Sequence, residues 1–226
     1  GVQALNDEDL RRLGRNHTTK EALSSLEICK IFFNNVSFDL IYGRQYQKIK
    51  KWENELIKAL KMDADHISLY MLTIEKGTKF FDLNKKGKLL GLPNQSKEVK
   101  LFETTNEICE NFNYKPYEIS NYSRNDKICH HNLNYWKYGD YVGIGPGSHG
   151  RISKNSFRYR TESPKNPDKW KNEVLNKNIS KFLNKKILKK EQTQEYIMTS
   201  LRLIEGIDKR KLKKISKKKL PKKQIQ

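Results

Sequence analysis

The sequence predicts an α/β fold that gives way to an α+β region and then to a helical end. Two observations carry this reading. Residues 36–42, 48–62 and 66–74 read as strand, helix and strand, an order that makes a parallel βα unit. Beyond residue 90 the unit stops repeating, and a helix, a short strand, a glycine-rich turn and further helices follow. At 226 residues the chain suffices for one large domain, or for one domain and a smaller partner.

Each element has a local cause. Asn6 followed by Asp9 is a capping start for a short helix ending at Leu13. Thr18 or Thr19 opens a second helix, with Ala22, Leu23, Leu26 and Cys29 on one face. Residues 36–42 are rich in β-formers and end at Gly43. Ile49, Trp52, Leu56, Ala59 and Leu60 recur at helical spacing in 48–62. Leu101, Phe102, Thr105, Ile108, Cys109 and Phe112 mark the buried side of a helix over 98–112, and 114–119 reads as a strand. Pro167 occupies the first turn of a helix through Leu175, and a last helix over about 191–204 groups Tyr196, Ile197, Leu201 and Ile204. Gln3, Asp39 and Thr73 fall at carboxyl ends of strands, where barrel folds place functional side chains. Asp39, inside an apolar strand, needs a partner.

The composition is that of a water-exposed chain with a thin apolar supply: 35% hydrophobic against 32% charged residues. No run approaches the ~18 apolar residues of a membrane span, and the first residues lack a signal-peptide pattern, so the expected location is cytoplasmic. The net charge of +20 invites a nucleic-acid reading. Two features argue against it: lysines number 36 to 10 arginines, and ten cations crowd into Lys209 to Gln226. A block of like charge reads as a basic disordered tail over 208–226, with no nucleic-acid partner. The three cysteines, Cys29, Cys109 and Cys129, have no C-x-x-C spacing, so local ligands for zinc or an iron–sulfur cluster are lacking. Cys29 and Cys109 sit in apolar helical patterns and read as core.

The densest chemistry lies between Cys129 and Arg151, CHHNLNYWKYGDYVGIGPGSHGR. On a helix His131 and Tyr135 share a face, with Trp136 beside it. An imidazole next to two flat side chains suits an axial ligand of haem iron whose macrocycle is covered by aromatic faces. The plainer alternative is a polar histidine capping a turn over a packed Tyr–Trp core, and the residues alone leave both open. Cys129, two residues earlier, either brings its thiol near a bound metal or holds a turn. The glycines between 143 and 150 let the backbone approach a ligand closely, although the phosphate-loop pattern is absent.

His131, Asn132, Tyr135 and Trp136 form H-N-x-x-Y-W, which resembles the haem motif of the HemW family of haem chaperones, related to oxygen-independent coproporphyrinogen III oxidase. Gly1-Val2-Gln3, Leu13-Gly14-Arg15, 39–43 (DLIYG), Tyr70 with Thr73-Ile74-Glu75, 117–121 (YEISN) and 143–147 (GIGPG) resemble that family in order, over residues 1 to 207. The resemblance implies the carboxyl-terminal part of a partial (β/α) radical S-adenosylmethionine (SAM) barrel over 1–90. An α+β region with the haem motif follows over 91–160, then the start of a helical carboxyl-terminal domain over 161–207. It implies haem binding by His131, Asn132, Tyr135 and Trp136, with His131 on the iron, and contacts to SAM from Gln3, Arg15 and Asp39. His149 faces the site by analogy only. Haem, haem-acceptor proteins and a homodimer are the implied partners. The cluster-binding cysteines for the family's 4Fe-4S cluster are missing here, so the chain is expected to be a fragment truncated at both ends. Decarboxylation of coproporphyrinogen III by the parent protein, or an inactive remnant of either, remains an alternative. One departure is local: the family has Gly-Leu-Pro-Gly-Gln where this chain has Gly43-Arg44-Gln45-Tyr46-Gln47, which puts that loop's shape in doubt.

Overall fold

A computed structural model describes residues 1–177 and 185–216, which divide into two compact units at Ile128/Cys129. In the first unit the elements are α1 (Asp7–Arg12), α2 (Thr19–Phe32), β1 (Ser37–Tyr42), α3 (Ile49–Leu60), β2 (His66–Met71), α4 (Lys79–Lys85), α5 (Gln95–Asn111), β3 (Lys115–Pro116) and β4 (Asn121–Ser123). The helix starts are chemically marked: Asn6 and Asn94 cap α1 and α5, and Thr18 closes a reciprocal capping box with Glu21 on α2.

The sheet runs β1-β2-β4-β3, with β1 and β2 parallel and the two later strands antiparallel. Gln3 adds a rudimentary strand on the other side of β1: its N–H donates to Asp39 O at 2.7 Å, and its carbonyl accepts from Ile41 N at 2.9 Å. Period-two alternation gives the sheet two unlike faces. Phe38, Leu40, Tyr42, Ile67 and Leu69 pack against Trp52, Leu56 and Leu60 of α3 and Leu101 of α5. The Trp52 ring stacks on Tyr42 at 5.1 Å, and its N–H donates to Thr105 Oγ1 at 2.8 Å, which makes burial of the indole tolerable. The opposite face carries Ser37, Asp39, His66, Ser68, Tyr70, Asn121 and Ser123.

The second unit comprises α6 (His130–Trp136), β5 (His149–Lys154), β6 (Phe157–Glu162), α7 (Pro167–Lys177), β7 (Lys185–Lys186), α8 (Lys189–Ser200) and α9 (Lys209–Ser216). Its antiparallel sheet, β5-β6-β7, begins with a hairpin turning at Asn155-Ser156, both left-handed (φ 50° and 63°) as a two-residue type I′ turn requires. Tyr138, Tyr196 and Leu212 form its core with Ile197, Ile207 and Ile215.

Three expectations change. Residues 114–119 supply only the two-residue β3, because the chain turns back at Glu118 to pair β4 with β2. Residues 91–128, expected with the haem motif, fold as α5, β3 and β4 on the first unit. The basic tail is helical over Lys209–Ser216: Leu212 and Ile215 lie three apart on the face that meets Tyr196, and Asp208 Oδ1 accepts from Arg210 N and Lys211 N at 2.8 and 3.1 Å. The rest of the expected tail, residues 217–226, lies outside the described residues. Among the described residues no helix is long and apolar enough to cross a membrane.

Candidate functional site

The polar face of the first sheet is one candidate surface. In register, Asp39 lies beside Ser68, and Ser68 beside Asn121, so three polar side chains follow one another across three strands. Glu118, fully buried, accepts from Ser120 N (2.8 Å) and Asn121 Nδ2 (2.5 Å), which compensates its desolvation. Both His66 ring nitrogens are hydrogen-bonded, Nδ1 with Ser37 Oγ (2.7 Å) and Nε2 with Tyr117 OH (2.8 Å), one donating and the other accepting in the neutral ring. Burial pushes the His66 imidazole down to about 4 although Asp39 pulls it the other way. Burial also raises the Tyr70 hydroxyl, against hydrogen bonds from Ser68 and Asn121.

Gln3 and Asp39 come together here through the backbone bridge between them. Gln3 holds φ at 71°, a backbone state that costs a non-glycine residue energy. The Gln3 amide and the Asp39 carboxylate both approach Gly1, where a Cβ would stand 1.9 Å from Gln3 Nε2 and 3.3 Å from Asp39 Oδ2. Arg15 lies apart from them in sequence, exposed in the loop after α1. The divergent loop 43–47 keeps a defined shape. Gln47 Oε1 accepts from Gly43 N at 2.7 Å, and Tyr46 takes φ 58° where the family has glycine. Buried Arg44 is neutralised by Glu55 and by Asp9 at 3.1 Å. A 4Fe-4S cluster does not fit the cysteines present: Cys109 is buried in the first core, Cys29 packs against it, and Cys129 precedes α6 in the other unit. Among the described residues no group of three or more His, Cys, Asp or Glu is placed to hold a metal ion.

The second candidate is α6. His131 is exposed, and its ring meets Tyr135 edge-on at 4.7 Å and 84°; Tyr135 meets Tyr141 in the same way at 4.5 Å and 82°. Trp136 lies beneath the Arg202 guanidinium, 4.3 Å from the ring centroid. The helix ends by a tight reversal: Tyr138 is left-handed (φ 55°), and Gly139 N donates to Asn134 O at 2.8 Å. Asn134 Nδ2 donates to Asp140 O at 2.9 Å. Asn132 is half-buried in the middle of the helix. That reversal brings Tyr138 and Tyr141 back toward Tyr135 and Trp136, around a half-open cavity of about 320 Å³ that Met198, Arg151, Arg158 and Glu195 also line. Burial pushes the Tyr138 hydroxyl up, helped by Glu195, to which it donates at 3.0 Å. His149 is exposed on β5 and does not line this cavity. Gly143 serves close backbone packing, since a Cβ there would stand 2.4 Å from His149 O, whereas one on Gly145 would meet nothing within 4 Å, and that residue is left-handed instead (φ 99°). Sequence reasoning missed Tyr138, Tyr141, Arg151 and Glu195. The only local signal was the aromatic spacing across Gly139.

The chain is 35% identical over 218 residues to the haem chaperone HemW of Buchnera aphidicola subsp. Schizaphis graminum, covering 93% of this chain and 54% of that protein. It is 39% identical over 153 residues to HemW of Bacillus subtilis, covering 67% of this chain and 40% of that one. It is also 33% identical over 213 residues to the mitochondrial radical S-adenosyl methionine domain-containing protein 1 of Danio rerio, covering 92% of this chain and 48% of that protein. In fold it superposes on the radical SAM enzyme coproporphyrinogen III oxidase (HemN) of Escherichia coli with a TM-score of 0.71 at 15% identity, over 96% of this chain and 52% of that one. The expected α/β fold, part of a radical SAM barrel, agrees with that likeness. No protein-family model matches. The chain spans about half the length of the curated relatives it matches.

Proposed function

Because the chain belongs to the HemW-like radical SAM family, we propose that it is part of a haem chaperone that binds haem through His131 and passes it to acceptor proteins. The observation that supports this is the exposed His131 ring held edge-on against Tyr135, on a helix that also carries Asn132 and Trp136. An imidazole on the surface is accessible to iron, whereas the buried His66 has both nitrogens engaged. Aromatic edges fix the imidazole plane without occupying its nitrogens, which leaves a lone pair for the metal. Release to an acceptor requires an accessible ligand, and exposure of His131 meets that need. Gln3 and Asp39 offer an amide and a carboxylate suited to the hydroxyl and ammonium groups of SAM. The cluster, which supplies reductive cleavage chemistry in such proteins, has no ligand set among these residues.

The test is a haem titration of the purified chain followed in the Soret band. Saturable binding that disappears in His131→Ala, with unchanged far-ultraviolet circular dichroism, is expected. Equal spectra for the two proteins would overturn the assignment.

A further inference from the structure

The cavity beneath α6 differs from an anion site in its charge balance. Its aromatic walls are Tyr135, Trp136, Tyr138 and Tyr141. Two guanidiniums reach it, and each is already neutralised. Arg151 grips Glu195 through Nη2 (2.9 Å) and Nε (3.2 Å), with the Tyr138 hydroxyl on the same carboxylate. Arg158, nearly buried, pairs with Asp140 at 2.7 Å, donates to Gly139 O at 2.7 Å and lies 3.9 Å from the Tyr138 ring centroid. The indole N–H of Trp136 and the Nε of Arg158 are unpaired but sealed from the surface, so a ligand cannot reach them. Arg202 stacks on Trp136 and does not line the cavity. A carboxylate entering here would lose its hydration and find no spare cation, while an apolar group would lose nothing. At about 320 Å³ the cavity is at the small end of ligand sites, roughly 300–1,000 Å³, and suits the edge of a large flat molecule.

We infer that this cavity receives the uncharged, methyl- and vinyl-bearing edge of the tetrapyrrole and thereby selects protohaem over porphyrins that carry propionates on every ring. This rests on the haem reading of His131. Tyr135 connects the two, since its ring touches His131 and also lines the cavity. Protohaem carries its two propionates on one edge and can turn them to solvent. Coproporphyrin III has four, one on each ring, and must bury at least one.

The experiment compares haemin, iron mesoporphyrin IX and iron coproporphyrin III on the same chain. Haemin and the mesoporphyrin complex should bind alike, and the coproporphyrin complex at least tenfold more weakly. Glu195→Gln leaves the Arg151 charge unbalanced and should narrow that gap several-fold. Met198→Lys, at an exposed rim position, should do the same without breaking an ion pair. Equal affinity for all three porphyrins, or a gap unmoved by both variants, overturns the inference while leaving His131 as the ligand. Haem binding that ignores His131→Ala, or is absent, overturns the haem reading and this inference together.

Discussion

His66 stands on the polar side of the first sheet, buried, with a hydrogen bond at each ring nitrogen. Its folded pKa, lowered to about 4, lies below the ordinary 6.5, so the unfolded chain takes up the proton first. Stability from this group is therefore complete above pH ~6.5 and is lost as pH falls through 4, by about 3 kcal/mol at most. Urea midpoints measured between pH 7.5 and 4.5 should fall steeply, and His66→Gln should flatten that dependence. A slope unchanged by the substitution would assign it to the carboxylates instead. None of this was legible beforehand, because His66 looked like the first residue of an ordinary strand. Its second partner, Tyr117, is 51 residues away and is reached only once β3 and β4 fold back. The contact of His131 with Tyr135 was legible, since i and i+4 on a helix must meet. Tyr141 was not, because its contact with Tyr135 depends on a left-handed residue past the helix end.

That helix end is the element on which the second unit's cavity depends. A Cβ on Gly139 would lie 1.9 Å from Asn134 Oδ1 and 3.1 Å from Asn134 O, so glycine there lets the reversal after α6 close with the Asn134 side chain in place. Gly139→Ala must push Asn134 off its bond to Asp140 O and should destabilise the unit by about 1–3 kcal/mol. Haem affinity should fall in the same variant while the His131-type spectrum persists, because the imidazole is still present. A lost spectrum at intact secondary structure would mean that the reversal sets the histidine itself. Helix starts were legible where a side chain acts within three residues, as at Asn6 and Thr18; at α5 the apolar pattern passes over the cap, Asn94, and puts the start at residue 98, three residues into the helix. The β5–β6 hairpin went unread although Asn155-Ser156 separates two runs. HGRISK shows no clean alternation, and in FRYRTE the alternation is inverted, with Arg158 buried and Phe157 exposed.

Across the whole molecule, 46 cations face 26 anions, so at least 20 cations have no counter-charge even if every carboxylate is paired. Self-repulsion of that excess works against the compact state. Ion pairs pull the other way, but the exposed pairs at i,i+3 spacing, such as Lys30 with Glu27, contribute little. Arg44, 3% exposed between Asp9 and Glu55, is shielded from salt by its burial. Screening should therefore relieve more repulsion than it weakens attraction. Raising NaCl from about 0.01 M to 0.3 M shortens the Debye length from ~30 Å to below ~10 Å and should raise the melting temperature. The rise should be larger at pH 5 than at pH 7.5, since protonation of carboxylates and histidines adds to the excess charge. Chloride is the appropriate anion for this, because sulfate and phosphate also strengthen apolar burial. A melting temperature that falls with salt would show that paired charges, rather than the lysine excess, govern the electrostatics of the fold.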